Sequence, residues 1–208
     1  SYDTSRHEGI HNMSATQAGS RIVCPVDFDR AGRQAGYARA PLSRNNSAWG
    51  TVEIPIVMVN NGSGPTVLFT GGIHGDEYEG PIAISRLARE LRPEEVQGRV
   101  IMMPAVNVPA VIADTRLSPA DGRDMNRCFP GDPGGTFSQM LAHFLDSVIL
   151  PLADISVDLH TAGHSFDSAL STNMHHVDDD EIRRKTLAAA AAFGAPYNVV
   201  FAGVDEDS

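Results

Sequence analysis

Hydrophobic positions first fall into a strict rhythm over residues 49–60, where Val52, Ile54, Ile56 and Met58 alternate with their neighbours. A period of two puts one side of an extended segment into a core, so a strand is expected. Asn60-Asn61-Gly62-Ser63-Gly64-Pro65 is a turn cluster. TVLFT at 66–70 is a short continuous apolar run, as in a strand covered on both faces. The period then changes. Pro81 suits the first turn of a helix. Ile82, Ile84, Leu87, Ala88 and Leu91 follow at roughly helical spacing, and Pro93 closes the segment. RVIMM at 99–103 is a second buried-type strand. Residues 107–135 are polar and rich in Pro and Gly, a loop longer than most connections, and long ordered loops tend to carry function. Over 136–150, Phe137, Met140, Leu141, Phe144, Leu145, Val148 and Ile149 form one broad apolar helix face. Residues 154–159 read as a strand running into His160. A helix over 178–193 has acids in its first turn, where the dipole favours them, and Gly194 as its stop. A last strand is expected over 198–202.

Residues 1–48 are rich in Ser, Gly, Arg and Asn and carry few apolar runs, so an irregular segment is expected there, followed by one domain over 49–208. Alternating strands and helices predict an α/β fold, with a mixed, largely parallel central sheet flanked by helices. The formal net charge of −10 argues against a nucleic-acid partner, since phosphate binding needs a basic face. No run approaches the roughly 20 apolar residues of a membrane span. The first 30 residues lack the basic start and apolar run of a secretory signal. Cys24 and Cys128, far apart in the chain, suit a reducing compartment, so a cytoplasmic location is expected.

The chemistry gathers at strand ends, where open α/β sheets bind their ligands. Gly71-Gly72-Ile73-His74-Gly75-Asp76-Glu77 joins a buried strand to a helix. On a tight turn, an imidazole and a carboxylate three residues apart converge on one ion, and glycine permits the close backbone approach this needs. A zinc site that does chemistry takes three protein ligands and keeps one position open. His160 is the third candidate, delivered from another strand end, and His164 is the alternative. Asp158, two residues before His160, shares its strand face and is placed to orient the imidazole. One zinc ion per chain, held by His74, Glu77 and His160, is therefore expected.

The run GGIHGDEYEG, then Asn107 with Arg116, then DMNRCFPG at 124–131 and DLHT at 158–161, resembles the succinylglutamate desuccinylase/aspartoacylase family, relatives of the zinc carboxypeptidases. The resemblance runs from about residue 49 onward. In detail it is most similar to the Nα-acetyl-L-2,4-diaminobutyrate deacetylases of ectoine breakdown. It implies a zinc carboxypeptidase-like fold, with His74, Glu77 and His160 as the metal ligands. It also implies Arg116 as the group that polarises the scissile carbonyl and stabilises the oxyanion, and Asn126 with Arg127 as the grip on a substrate carboxylate. The implied reaction is hydrolysis of the amide of a small N-acylated amino acid by water activated on zinc.

Two departures matter. The separation of Arg116 from Asn126-Arg127 is a few residues longer than in the aspartoacylases, which keeps Arg123 as an alternative for the oxyanion. The family's general-base glutamate lies in a Glu-Leu-Gly-Gly-like segment, and residues 161–208 hold no such segment. Glu181 and Glu206 lack that context. The base and a β-rich C-terminal domain are thus expected beyond Ser208, and an apolar face awaiting them would also favour self-association into a homo-oligomer. Two other readings use the same ligands: a metallocarboxypeptidase acting on peptides, and a zinc-binding module without catalysis.

Overall fold

The computed structural model describes residues 19–43, 50–165 and 167–201. They form two compact units, one reaching to His164 and one starting at Ser165.

The first unit is built on a five-stranded mixed sheet. Its strands are β1 (Gly32–Pro41), β2 (Thr51–Asn61), β3 (Thr66–Gly71), β4 (Gly98–Met103) and β5 (Ile155–Leu159), arranged in the order β1-β2-β4-β3-β5. β2 runs antiparallel to both β1 and β4, while β3 pairs in parallel with β4 and β5. The three parallel strands therefore end on the same edge, with β3 in the middle.

The alternation read from the sequence sorts side chains onto two cores. Ile54, Ile56, Met58, Leu68, Ile101 and Met103 face one side, where they meet the helix α3 (Phe137–Phe144). Val59 and Met102, with Val57, Phe69 and Val100, face the other, under α1 (Glu79–Glu90). α1 buries Ile84 and Ala88, but Ile82, expected on its apolar face, is 65% exposed. After α3 the chain continues as a π-helical turn (Leu145–Ile149) and a 3-10 turn (Leu150–Leu152), so the segment expected as one helix changes hydrogen-bond period halfway. Phe137, Met140, Leu141, Phe144, Leu145 and Ile149 are nonetheless all buried together.

β1 corrects the expectation of an irregular segment over residues 1–48. Its inward positions are Ala38 and Ala40, both fully buried, while Tyr37 and Arg39 face out. Alanine fills a close-packed edge without the strong hydrophobic contrast that reveals a strand in sequence. The rest of that segment, residues 1–18 and 44–48, and Trp49 at the head of the first expected strand, lie outside the described residues. The loop over 107–135 also contains order: α2 (Val108–Ala113) and a 3-10 turn (Met125–Arg127).

The second unit is a β-α-β motif: β6 (Ser171–His175), α4 (Asp180–Phe193) and β7 (Tyr197–Phe201), with β6 and β7 parallel. The Asp179 carboxylate caps α4 by accepting from the Glu181 and Ile182 N–H groups. Gly194, with φ +77°, ends α4 in the left-handed conformation that glycine takes most easily. β6, with the polar sequence STNMH, gives no apolar signal and was not expected. No helix among the described residues is long and apolar enough to cross a membrane.

Phe144 and Ile82 give opposite expectations. Phe144→Ala should cost about 3–5 kcal/mol by opening a cavity in the larger core. Ile82→Ala, at an exposed position, should stay within about 0.5 kcal/mol. Urea unfolding of both variants checks this, and equal losses would contradict the two-core packing.

Candidate metal centre

The centre is assembled at the carboxyl edge of β3 and β5. After Gly71 the chain turns sharply through Gly72, whose φ is +67°, and then passes under α2. The approach is closest at Gly75: a Cβ there would lie 1.9 Å from the Ala110 carbonyl oxygen, and the Gly75 N–H donates to the Thr115 carbonyl at 2.9 Å. Glycine at this position lets the turn pack backbone to backbone against α2. Asn107 supports the same turn, its side-chain amide donating to the Ile73 carbonyl at 3.2 Å.

His74 and Glu77 project from this turn, both almost fully buried. His160 follows β5. One ligand atom from each of the three lies within 4.8 Å of the others. Glu77 bridges the two imidazoles, with Oε1 at 2.8 Å from His74 Nδ1 and Oε2 at 2.8 Å from His160 Nδ1. The Thr161 N–H donates to the same Oε2 at 3.0 Å. The outer nitrogens face carboxylates. His160 Nε2 is 2.7 Å from Asp158 Oδ2, and His74 Nε2 is 3.2 Å from Asp124 Oδ1. Asp158 is held in turn by the Thr70 hydroxyl, which donates to Oδ1 at 2.7 Å across the β3–β5 pairing.

The charges follow from these contacts. Burial works against ionising Glu77, but His160, His74 and the Thr161 N–H outweigh it and hold the carboxyl well below its usual range. Burial likewise opposes charge on His160, yet Asp158 and Glu77 prevail and raise it to about 10. Burial is outweighed at Asp124 too, where His74, the Asn126 N–H and Arg116 hold the carboxyl below its ordinary value.

Arg116 stands beside the ligands, with Nη1 3.6 Å from Glu77 Oε1 and Nη2 3.2 Å from Asp124 Oδ2. Arg123, the alternative, is exposed on the loop, with its backbone N–H on Asp121 Oδ1 at 3.2 Å. Asn126 and Arg127 lie on the 3-10 turn that follows Asp124. The Asn126 N–H donates to Asp124 Oδ1 at 2.9 Å, and the Arg127 side chain is exposed. His164, the alternative ligand, places Nε2 2.5 Å from Asp114 Oδ1 instead. Glu181 sits in the second unit, ion-paired with Lys185, and Glu206 lies outside the described residues. Sequence reasoning gave no role to Asp124 or Thr70. Asp124 had one available signal: it stands two residues before Asn126.

The catalytic-domain model of the succinylglutamate desuccinylase/aspartoacylase family matches residues 63–208. The chain belongs to this family. The chain is similar to an N-alpha-acetyl-L-2,4-diaminobutyric acid deacetylase from Halomonas elongata, 45% identical over 192 residues that make up 92% of this chain and 56% of that protein. A crystal structure of a succinylglutamate desuccinylase/aspartoacylase from Rhodobacter sphaeroides is 80% identical and superposes with a TM-score of 0.85, over 88% of this chain and 55% of that one. The product-bound ectoine utilization protein EutE (DoeB) from Ruegeria pomeroyi is 42% identical with a TM-score of 0.84, over 89% and 57%. The chain thus spans little more than half the length of these relatives. The family fold is the mixed α/β, zinc carboxypeptidase-like arrangement described above.

The donor set fits a divalent transition metal: two imidazole nitrogens and a carboxylate oxygen converge, and each histidine has its second nitrogen on a carboxylate, the usual support of a ligating imidazole. Asp158→Asn should therefore lower metal affinity by about 10–100-fold while leaving the fold in place. Competition with a chromophoric chelator, alongside a thermal melt, measures both. Unchanged affinity would remove Asp158 from the site.

Proposed function

We propose that the protein is a zinc-dependent hydrolase that cleaves the amide of an N-acylated amino acid in the cytoplasm, with N-acetylated diaminobutyrate as its leading substrate. The convergence of His74, Glu77 and His160 beside Arg116 carries this reading. The deacetylase name of the Halomonas relative supports the reaction and substrate class. The activity is proposed for the whole protein, since the matched region is only 56% of the Halomonas relative.

Two histidines and a glutamate are a set that catalytic zinc uses while keeping a position open. Zinc held there supplies Lewis acidity at the acyl carbonyl and acidifies water. The remaining work falls to the chain's own residues. Asp158 and Asp124 orient the imidazoles so that both Nδ1 atoms face Glu77. The Arg116 guanidinium, half exposed and anchored on Asp124, meets the negative charge that develops on the acyl oxygen. Because that charge appears only as the reaction proceeds, the contact favours the transition state over the bound substrate. Arg127 projects into solvent beyond the same turn and grips the substrate carboxylate through parallel N–H bonds, with Asn126 beside it.

Metal analysis of freshly purified protein should find one zinc per chain, and His74→Ala should abolish it. A metal-free wild type would refute the reading. Turnover of N-acetyl-diaminobutyrate, N-acetyl-aspartate and a set of dipeptides separates deacylase from carboxypeptidase, and turnover of dipeptides alone would retire the deacylase.

Arg116→Ala should lower kcat by about 10²–10³-fold with little change in KM, whereas Arg127→Ala should chiefly raise KM. Steady-state kinetics on the preferred substrate tests this division, and the reverse pattern would exchange the two roles.

A further inference from the structure

Asp114 ends α2 in the left-handed conformation, with φ +57° and ψ +47°. Among the described residues it is the one non-glycine with positive φ. Glycine takes this conformation at lower cost, so an Asp there invites the question of what its side chain does.

The side chain acts on two groups. Its Oδ1 lies 2.5 Å from His164 Nε2, and its carboxylate raises the pKa of the Tyr78 hydroxyl. The Tyr78 and His164 rings lie 5.7 Å apart. Each partner belongs to a ligand segment. Tyr78 directly follows Glu77 and opens α1. His164 lies in the loop that follows His160, and this loop runs tightly over the metal turn: a Cβ on Gly163 would lie 2.5 Å from Asp76 Oδ2. Asp114 also stands two residues before Arg116, and the intervening Thr115 carbonyl accepts the Gly75 N–H. One carboxylate thus joins the turn of Glu77, the loop of His160 and the segment of Arg116.

We propose that Asp114 is a positioning residue, a latch that holds the His160 loop and the Arg116 segment against the metal turn through His164 and Tyr78. The proposal rests on the metal reading above. His164 and Asp114 are both half exposed, so their pairing adds little to global stability. Its effect is local: it removes freedom from a loop that carries a ligand, freedom that metal binding would otherwise have to remove. The carboxylate does this at a backbone position that glycine would occupy more comfortably. Stability and metal affinity should therefore respond differently to its removal.

Cobalt(II) titration of the full chain, followed by visible absorption and paired with thermal melts, tests the latch. Asp114→Gly should melt at or above the wild-type temperature, yet bind cobalt about 10-fold more weakly and with altered visible bands. His164→Gln should weaken binding similarly, and the double variant should be no worse than either single one, because each removes the same contact. Ile112→Ala, an exposed position on α2, should match wild type. Wild-type affinity and spectrum in Asp114→Gly, or additive losses in the double variant, would overturn the latch while leaving the metal site intact. A wild type that takes up no cobalt would sink the metal reading and the latch together.

Discussion

The Glu77 carboxylate is the interaction on which the rest of the site depends. It is almost fully buried, and each of its oxygens meets one imidazole. A buried carboxylate without partners is costly, and removing one partner from a buried charge leaves that cost exposed. His74, His160 and the Thr161 N–H are therefore also the means by which Glu77 is tolerated in the interior. The same three groups orient it, so charge satisfaction and ligand geometry have one solution. The sheet makes that solution available by ending β3 and β5 side by side on one edge.

Around this centre the hydrogen bonds form a continuous chain. It runs from Thr70 through Asp158, His160, Glu77 and His74 to Asp124 and Arg116. Three carboxylates in the chain face one guanidinium and the His160 imidazole, whose pKa Asp158 and Glu77 raise against burial. Arg116 is thus held close to the ligands by the carboxylate that orients His74. A single residue, Asp124, links His74 to Arg116.

Much of this was legible from residue order. The apolar period located β2, β3, β4, α1 and α3 because their inward faces are rich in apolar side chains, while α4 was marked by its acidic first turn and by Gly194. Glycines beside His74 marked a close backbone approach, and the structure shows it at Gly75. Where inward residues are small or polar, the pattern was silent. β1 packs Ala38 and Ala40, and β6 is STNMH, so neither contrasts with a loop. The break of the 136–150 helix into a π-helical turn leaves the apolar face unchanged, so hydrophobic spacing alone had no means of detecting it.

By itself, then, the sequence determined the α/β class and the two-sided burial of the sheet, and it singled out His74, Glu77 and His160, which the structure brings together, because these follow from local period and from residue types at strand ends. Only the tertiary structure decided which groups support the ligands. Thr70 meets Asp158, His74 meets Asp124, and Asp114 meets His164 across chain separations of 88, 50 and 50 residues. It also decided that Arg116 stands beside Glu77 and Asp124. Proximity of this kind comes from strand pairing and from the packing of α2 on the metal turn, and residues far apart in sequence carry no record of it in their spacing.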